Sequence, residues 1–236
     1  MARKPKTKEV KVEPIRHTCE FCKRDYSSEK TLIAHACEKK RRWLWKDEKY
    51  ATMGFRAYQL FYEVGMKYKK VKTQEDFIDS QYYSAFIKFG KHLVDINAID
   101  PIGFTEFLIR TNVRLDDWTL PRPYEIWVRE LGRKEHPDRA LERNILLMEH
   151  WSRETGEEWT DFFRKVNPQL ATKWIKTGRL SPWLLFTVGD ELVERLSDEQ
   201  LILVQELLEP GFWFKKFDTF EEEVRSIKFN LRSVGV

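Results

Sequence analysis

The 236-residue chain has little of what punctuates loops or cross-links extracellular folds. Its 10 glycines and 9 prolines are too few for a loop-rich β architecture or a low-complexity chain. It has three cysteines, Cys19, Cys22 and Cys37, all within one short stretch. They leave no set of pairs for a disulfide framework and point to a reducing compartment, an intracellular, cytoplasmic setting. Nowhere do 18 apolar residues run together, so no membrane-spanning helix is expected and a membrane is not among the partners. The basic N-terminus carries no apolar run, which argues against a secretory leader. A phosphate-binding glycine loop, a dinucleotide fingerprint, an HExxH pair and internal repeats are missing as well, so no catalytic constellation presents itself. The acidic pairs Asp116-Asp117 and Glu157-Glu158 have no metal-site context and read as solvated charge.

Aromatic and charged residues are plentiful. Hydrophobic residues make up 42% of the chain and aromatics 14%, with 9 Trp and 16 Phe, enough to bury a sizeable core. The formal net charge of +4 hides a lopsided distribution. Residues 1–72 carry 20 Lys+Arg against 9 Asp+Glu, a net of +11, whereas residues 73–236 carry 22 against 29, a net of −7. A basic module facing a polyanion, set on a neutral or acidic body, has this asymmetry. A basic solubilising tail would give it too. Residues 1–16, with two prolines and alternating lysines, hold too few large apolar groups to offset ordering entropy, so a disordered basic tail is expected there.

The chemistry concentrates between His17 and Arg42. Two thiolates separated by two residues, Cys19 and Cys22, form a knuckle that can present both sulfurs to one ion. Tyr26, Leu32 and His35 follow with spacing Cys22-x3-Tyr26-x5-Leu32-x2-His35. Ser27 or Ser28 supplies an N-cap for a short helix carrying Leu32 and His35. Over about 17–40 the chain thus resembles a zinc finger of the two-cysteine, two-histidine family. The resemblance implies a small ββα unit around one structural Zn2+, held by Cys19, Cys22, His35 and Cys37. The fourth ligand departs from that family, which leaves three to five residues between its last two ligands where this chain has His35-x-Cys37. On an ideal helix, residues i and i+2 point about 200° apart, so the helix must end or unwind at His35 for Cys37 to reach the ion. His17, just before the knuckle, competes for the fourth position.

The finger is a poor base reader. Its slots −1, 3 and 6 hold Ser28, Thr31 and Ala34, none of them the Arg, Asn or Gln that makes bidentate base contacts. The charge beyond it is more suggestive. Lys39, Lys40, Arg41, Arg42 and Lys46 lie beside Trp43 and Trp45, and cations interleaved with large rings can grip phosphates while stacking on bases. The competing reading is an amphipathic helix through Trp43, Tyr50, Met53, Ala57, Leu60, Phe61 and Val64. Lys67, Lys69, Lys70 and Lys72 would close that helix and extend the patch or favour its C-terminus.

Beyond this the pattern is helix after helix. Thr73-x-x-Asp76 starts one bearing Phe77, Phe86, Phe89 and Leu93, and Asp100-Pro101 caps another. Residues 112–123, with Pro121 and Pro123, read as a linker between a basic, aromatic helical region (41–111) and a helical domain (124–236). Pro137 opens a strongly periodic helix through Trp151, and Asn167-Pro168 opens one that Gly178 ends. Ser181-Pro182 restarts the chain; a helix-turn-helix over 168–188 is formally available, but its second helix is almost wholly apolar and core packing explains it better. Ser197-x-x-Gln200 boxes a helix that Pro210-Gly211 stops, and Phe220, Val224, Ile227 and Leu231 mark the last. At Trp174-Ile175-Lys176-Thr177-Gly178-Arg179-Leu180-Ser181-Pro182-Trp183, together with His35 to Arg42, the chain resembles zinc-finger proteins of tailed bacteriophages. That resemblance implies a phage product acting inside the host in DNA transactions. The expectation is a mainly α fold with an N-terminal ββα-like finger and an irregular multi-helix body. It would bind nucleic acid or, alternatively, dock on a protein such as a polymerase, a replication or transcription factor or a virion component.

Overall fold

A computed structural model describes residues 16–236. The expected basic tail, Arg16 apart, lies outside the described residues. Among those residues the only sheet is a hairpin of two strands, each two residues long. β1 (His17–Thr18) runs antiparallel to β2 (Asp25–Tyr26), with His17 opposite Tyr26 and Thr18 opposite Asp25. α1 (Glu29–Ala34) completes a ββα unit. The rest is helical: α2 (Glu38–Leu44), α3 (Lys49–Leu60), α4 (Gln74–Ile78), α5 (Tyr83–Asp95), α6 (Pro101–Arg110) and α7 (Pro121–Lys134) come first. α8 (Pro137–Thr155), α9 (Phe162–Lys165), α10 (Pro168–Lys176), α11 (Pro182–Val188), α12 (Asp190–Glu194), α13 (Asp198–Val204), α14 (Pro210–Thr219) and α15 (Glu221–Ser233) follow. The mainly α expectation, with a small ββα-like unit in front, holds.

Starts that depend on a local side chain fall where the sequence puts them. Thr73 and Asp76 form a reciprocal capping box, as do Ser197 and Gln200. Asp100, Asn167 and Ser181 each cap a helix with proline at its first turn. Gly178, at φ +76°, ends α10 in the left-handed conformation that glycine adopts without steric penalty.

Longer elements divide where periodicity predicted continuity. The helix expected to run from Trp43 to Lys72 is two helices, α2 and α3, separated by a turn at 45–48. α3 then passes into a π-helical turn, Phe61–Gly65, and the chain leaves helix altogether, with Lys67 left-handed at φ 51°. The lysines at 67, 69, 70 and 72 therefore do not close a helix. The helix expected from Thr73 to Leu93 breaks after Ile78 because Ser80 turns its hydroxyl onto the Tyr82 N–H (3.0 Å), a local bond that competes with helix. Residues 112–123 are no loose linker. Trp118 within them is 1% exposed, its indole N–H donates to the Val113 carbonyl (3.0 Å), and Pro121 opens α7. Pro210 likewise opens a helix, α14, where Glu209 caps the Gly211 and Phe212 N–H groups (3.0 and 2.7 Å).

Two aromatic clusters form the core. The first joins α3 to α7, with Phe77, Phe86, Phe89, Phe104 and Trp118 almost fully buried. The second joins α8 to α15 around Trp151, Phe162, Trp174, Trp183 and Trp213. α7 contributes Tyr124, Trp127 and Val128 to the first cluster, although its sequence groups it with the helices that follow. α10 and α11 pack inward, with Trp174, Ile175, Trp183, Leu184 and Leu185 buried, which settles the 168–188 segment as core and not as a groove reader.

Candidate metal centre

The hairpin and α1 position the first three candidate ligands. Cys19 and Cys22 sit in the turn between β1 and β2, where the Lys23 N–H returns to the Cys19 carbonyl (2.9 Å) and the Cys19 N–H bonds the Arg24 carbonyl (2.9 Å). Ser28 is the N-cap of α1 and accepts from the Thr31 N–H (3.3 Å). Its hydroxyl also meets the Thr31 hydroxyl at 2.5 Å, so two of the three base-reading slots are engaged with each other. Tyr26 stacks a tilted ring on His35, with centroids 4.7 Å apart, and so orients the imidazole.

α1 ends at the residue the spacing demanded. Ala34 is its last member, and His35 is already extended at φ −71°, ψ 120°. That unwinding lets His35 and Cys37 face the same point although they are only two residues apart. Cys37 in turn is the N-cap of α2, its Sγ accepting from the Lys40 N–H (3.4 Å). One ligand atom from each of Cys19, Cys22, His35 and Cys37 falls within 4.8 Å of the others, and Cys22 Sγ lies 3.3 Å from His35 Nε2. Cys19 is buried and the other three are half-buried. His17, opposite Tyr26 in the hairpin, is not in this group.

The thiols perturb one another. The Cys22 N–H holds the Cys19 thiol below its ordinary pKa. At Cys22 the Arg24 N–H pulls the same way, but burial and the neighbouring Cys19 and Cys37 outweigh it and the thiol is raised. Thiolates this close to one another suit a shared cation, which offsets their mutual repulsion. The four groups could hold one metal ion with all its positions filled by protein.

The candidate phosphate-binding residues follow at once, four on α2 and Lys46 just after it, and most already have partners. Lys39 pairs with Asp79 (2.7 Å). Arg42 pairs with Glu38, donates to the Ile78 carbonyl (2.6 Å) and lies 4.2 Å over the Tyr83 ring, its side chain 18% exposed. Lys40 reaches the His35 carbonyl (3.4 Å), and Lys46 pairs with Asp47 (2.7 Å) and sits over Trp43 (5.5 Å). Arg41 is exposed and makes no ion pair or side-chain hydrogen bond among the described residues. Trp43 packs on Phe21 of the cysteine turn (centroids 6.3 Å apart). The basic run thus also clamps the finger onto α4 and α5. Sequence reasoning did not find this, because Arg42 and Tyr83 are 41 positions apart and no local pattern links them.

No helix among the described residues is long and apolar enough to cross a membrane. Compared with protein-family models, with curated proteins and with solved structures, the chain matches none of them. The resemblance to phage zinc-finger proteins accordingly gains no support from these comparisons.

Proposed function

We propose that this chain binds one structural Zn2+ and, through the basic region the ion braces, binds nucleic acid, DNA foremost, by phosphate contacts with little sequence preference. The observation that carries the metal half is the convergence of three cysteine sulfurs and one imidazole nitrogen on a single point. A tetrahedral zinc with bonds of about 2.0–2.3 Å sets its ligand atoms roughly 3.5–3.8 Å apart, and soft thiolates with imidazole favour Zn2+ over the oxygen-seeking Mg2+ and Ca2+. Four protein ligands leave no open position for a reactive water, which favours a structural over a catalytic ion.

The nucleic-acid half rests on charge. The net of +11 over residues 1–72 and the cluster Lys39, Lys40, Arg41, Arg42 and Lys46 beside the metal set support it. Phosphate contacts make such binding steeply salt-dependent. The test is a mobility-shift titration in low salt with and without chelator, paired with zinc quantification. One zinc per chain and a complex that dissolves as salt rises are expected; no complex in low salt ends the nucleic-acid reading, and absence of bound zinc ends the metal one. The earlier resemblance would make such a protein an accessory factor in phage DNA transactions or transcription.

A second reading draws on Ile33, Leu44 and Trp45, exposed at 71%, 66% and 48% beside the finger. Exposed apolar groups in that position suit docking on a protein partner, with the finger as a staple. Pull-down from nuclease-treated lysate separates the two readings.

A further inference from the structure

The segment after α3 differs from the Lys39–Lys46 run in one respect that matters for binding: among the described residues its lysines form no ion pair. Between Met66 and Lys72 the sequence Met-Lys-Tyr-Lys-Lys-Val-Lys holds four lysines and no acid. Lys67, Lys69 and Lys70 are exposed and form no ion pair or side-chain hydrogen bond among the described residues. Of the acids nearby, Asp76 is occupied in the cap of α4, accepting from the Thr73 N–H (2.9 Å), and Glu63 is a single charge beside the four lysines.

The segment is also held in shape. It leaves a π-helical turn, an irregularity found often at functional sites, and its Lys67 adopts a left-handed backbone that residues other than glycine seldom take. The Tyr68 N–H donates to the Tyr62 carbonyl (2.8 Å), and the Gln59 amide donates to the Lys72 carbonyl (3.0 Å). Lys72 places its ammonium 4.6 Å over the Tyr62 ring and 4.4 Å over the Tyr68 ring. Tyr68 nevertheless remains 49% exposed, at the edge of a cavity of about 70 Å3 between the segment and α3. A fixed, half-exposed ring flanked in the chain by lysines that make no ion pair among the described residues is the arrangement that stacks a base while its neighbours take the phosphates. A duplex, whose bases are already stacked, cannot use the ring.

We infer that Tyr68, flanked in the chain by Lys67, Lys69 and Lys70, is a stacking platform for single-stranded nucleic acid. The inference rests on the nucleic-acid reading above and moves its principal contact from α2 to this segment. The probes are a fluorescently labelled oligothymidylate of about twenty nucleotides, a duplex of equal length, and heparin, with binding read by anisotropy on the full chain loaded with zinc. The wild type should prefer the single strand to the duplex. Tyr68→Ala should weaken single-strand binding roughly 5- to 150-fold, and Tyr68→Phe should keep it, since stacking needs the ring and not the hydroxyl. Lys67→Gln/Lys69→Gln/Lys70→Gln should reduce the salt slope on the single strand by about 2. Circular dichroism on each variant verifies that the fold is kept, and Tyr68→Phe separates loss of the ring from loss of the fold. If the wild type binds single strand and Tyr68→Ala binds it equally well, the platform is wrong while the nucleic-acid reading stands. Equal loss on heparin and oligothymidylate in Tyr68→Ala makes the segment a general polyanion patch and overturns the platform. No binding of any probe by the wild type removes both.

Discussion

Cys37 belongs at once to the four candidate ligands and to α2, which it caps with its sulfur. Its loss should therefore cost metal directly. Cys37→Ser is expected to lower metal affinity at least tenfold in a chelator-competition titration, whereas His17→Ala, outside the cluster, should leave it unchanged. Although adjacent in the basic run, Arg41 and Arg42 have different duties. Arg42 is packed under Tyr83 and bonded to the Ile78 carbonyl, so Arg42→Ala should destabilise the protein by about 1–3 kcal/mol in denaturant unfolding. Exposed Arg41 should tolerate the same change within about 0.5 kcal/mol. His92 on α5 supplies a pH dependence. Burial pushes its pKa below the usual histidine value, against the pull of Asp95, and its Nε2 is buried without a hydrogen-bond partner among the described residues. The unfolded chain takes up this proton first, so His92 contributes stability that is present above about pH 6.5 and is lost as pH falls through and below that value. Between pH 7 and 5 the metal-loaded wild type should lose more stability than His92→Gln, and identical slopes would show that His92 plays no part.

At the scale of elements, local chemistry was legible and interruptions were not. The boxes at Thr73 and Ser197, and the caps at Asp100, Asn167 and Ser181, lie within three residues of the groups they satisfy. The break of α1 at His35 was legible for another reason, since candidate ligands two residues apart cannot share a helix face. By contrast, the π-helical turn after α3 and the gap between α4 and α5 follow from packing and turn bonds that hydrophobic spacing does not report. The crossing of α3 and α5 is of the same kind. A Cβ at Gly90 would overlap the Tyr50 carbonyl, and one at Gly54 would overlap the Phe86 carbonyl, so two glycines allow the helices to meet backbone to backbone. Gly90→Ala should therefore destabilise by about 1–3 kcal/mol or more despite alanine's better helix propensity, a sign that thermal unfolding will read directly.

Over the whole molecule, the finger is a small appendage on a large aromatic body. The two core clusters are tied by Tyr124, whose hydroxyl accepts from the Ile99 N–H (3.0 Å) and donates to the Thr177 carbonyl (3.1 Å). The Trp183 indole N–H, bonded to the Glu135 carbonyl (3.3 Å), adds a second tie between α7 and the later helices. Neither tie involves the candidate metal ligands. Chelation should consequently leave most of the far-ultraviolet circular dichroism intact while altering the signal of Trp43, which packs between finger and body; a collapse of helicity would mean that the body itself depends on the ion. The sequence by itself marked the four Cys and His side chains that the structure brings together, and determined the caps, the helical class and the charge asymmetry, because each depends on residue type at short, fixed spacing. Only the tertiary structure decided that Trp118 is core and not linker, that α7 packs with the first cluster, and that Lys39 and Arg42 clamp the body while Lys67, Lys69 and Lys70 make no ion pair among the described residues. Those outcomes turn on which distant group meets each side chain, and burial and ion pairing across tens of residues leave no mark on local spacing.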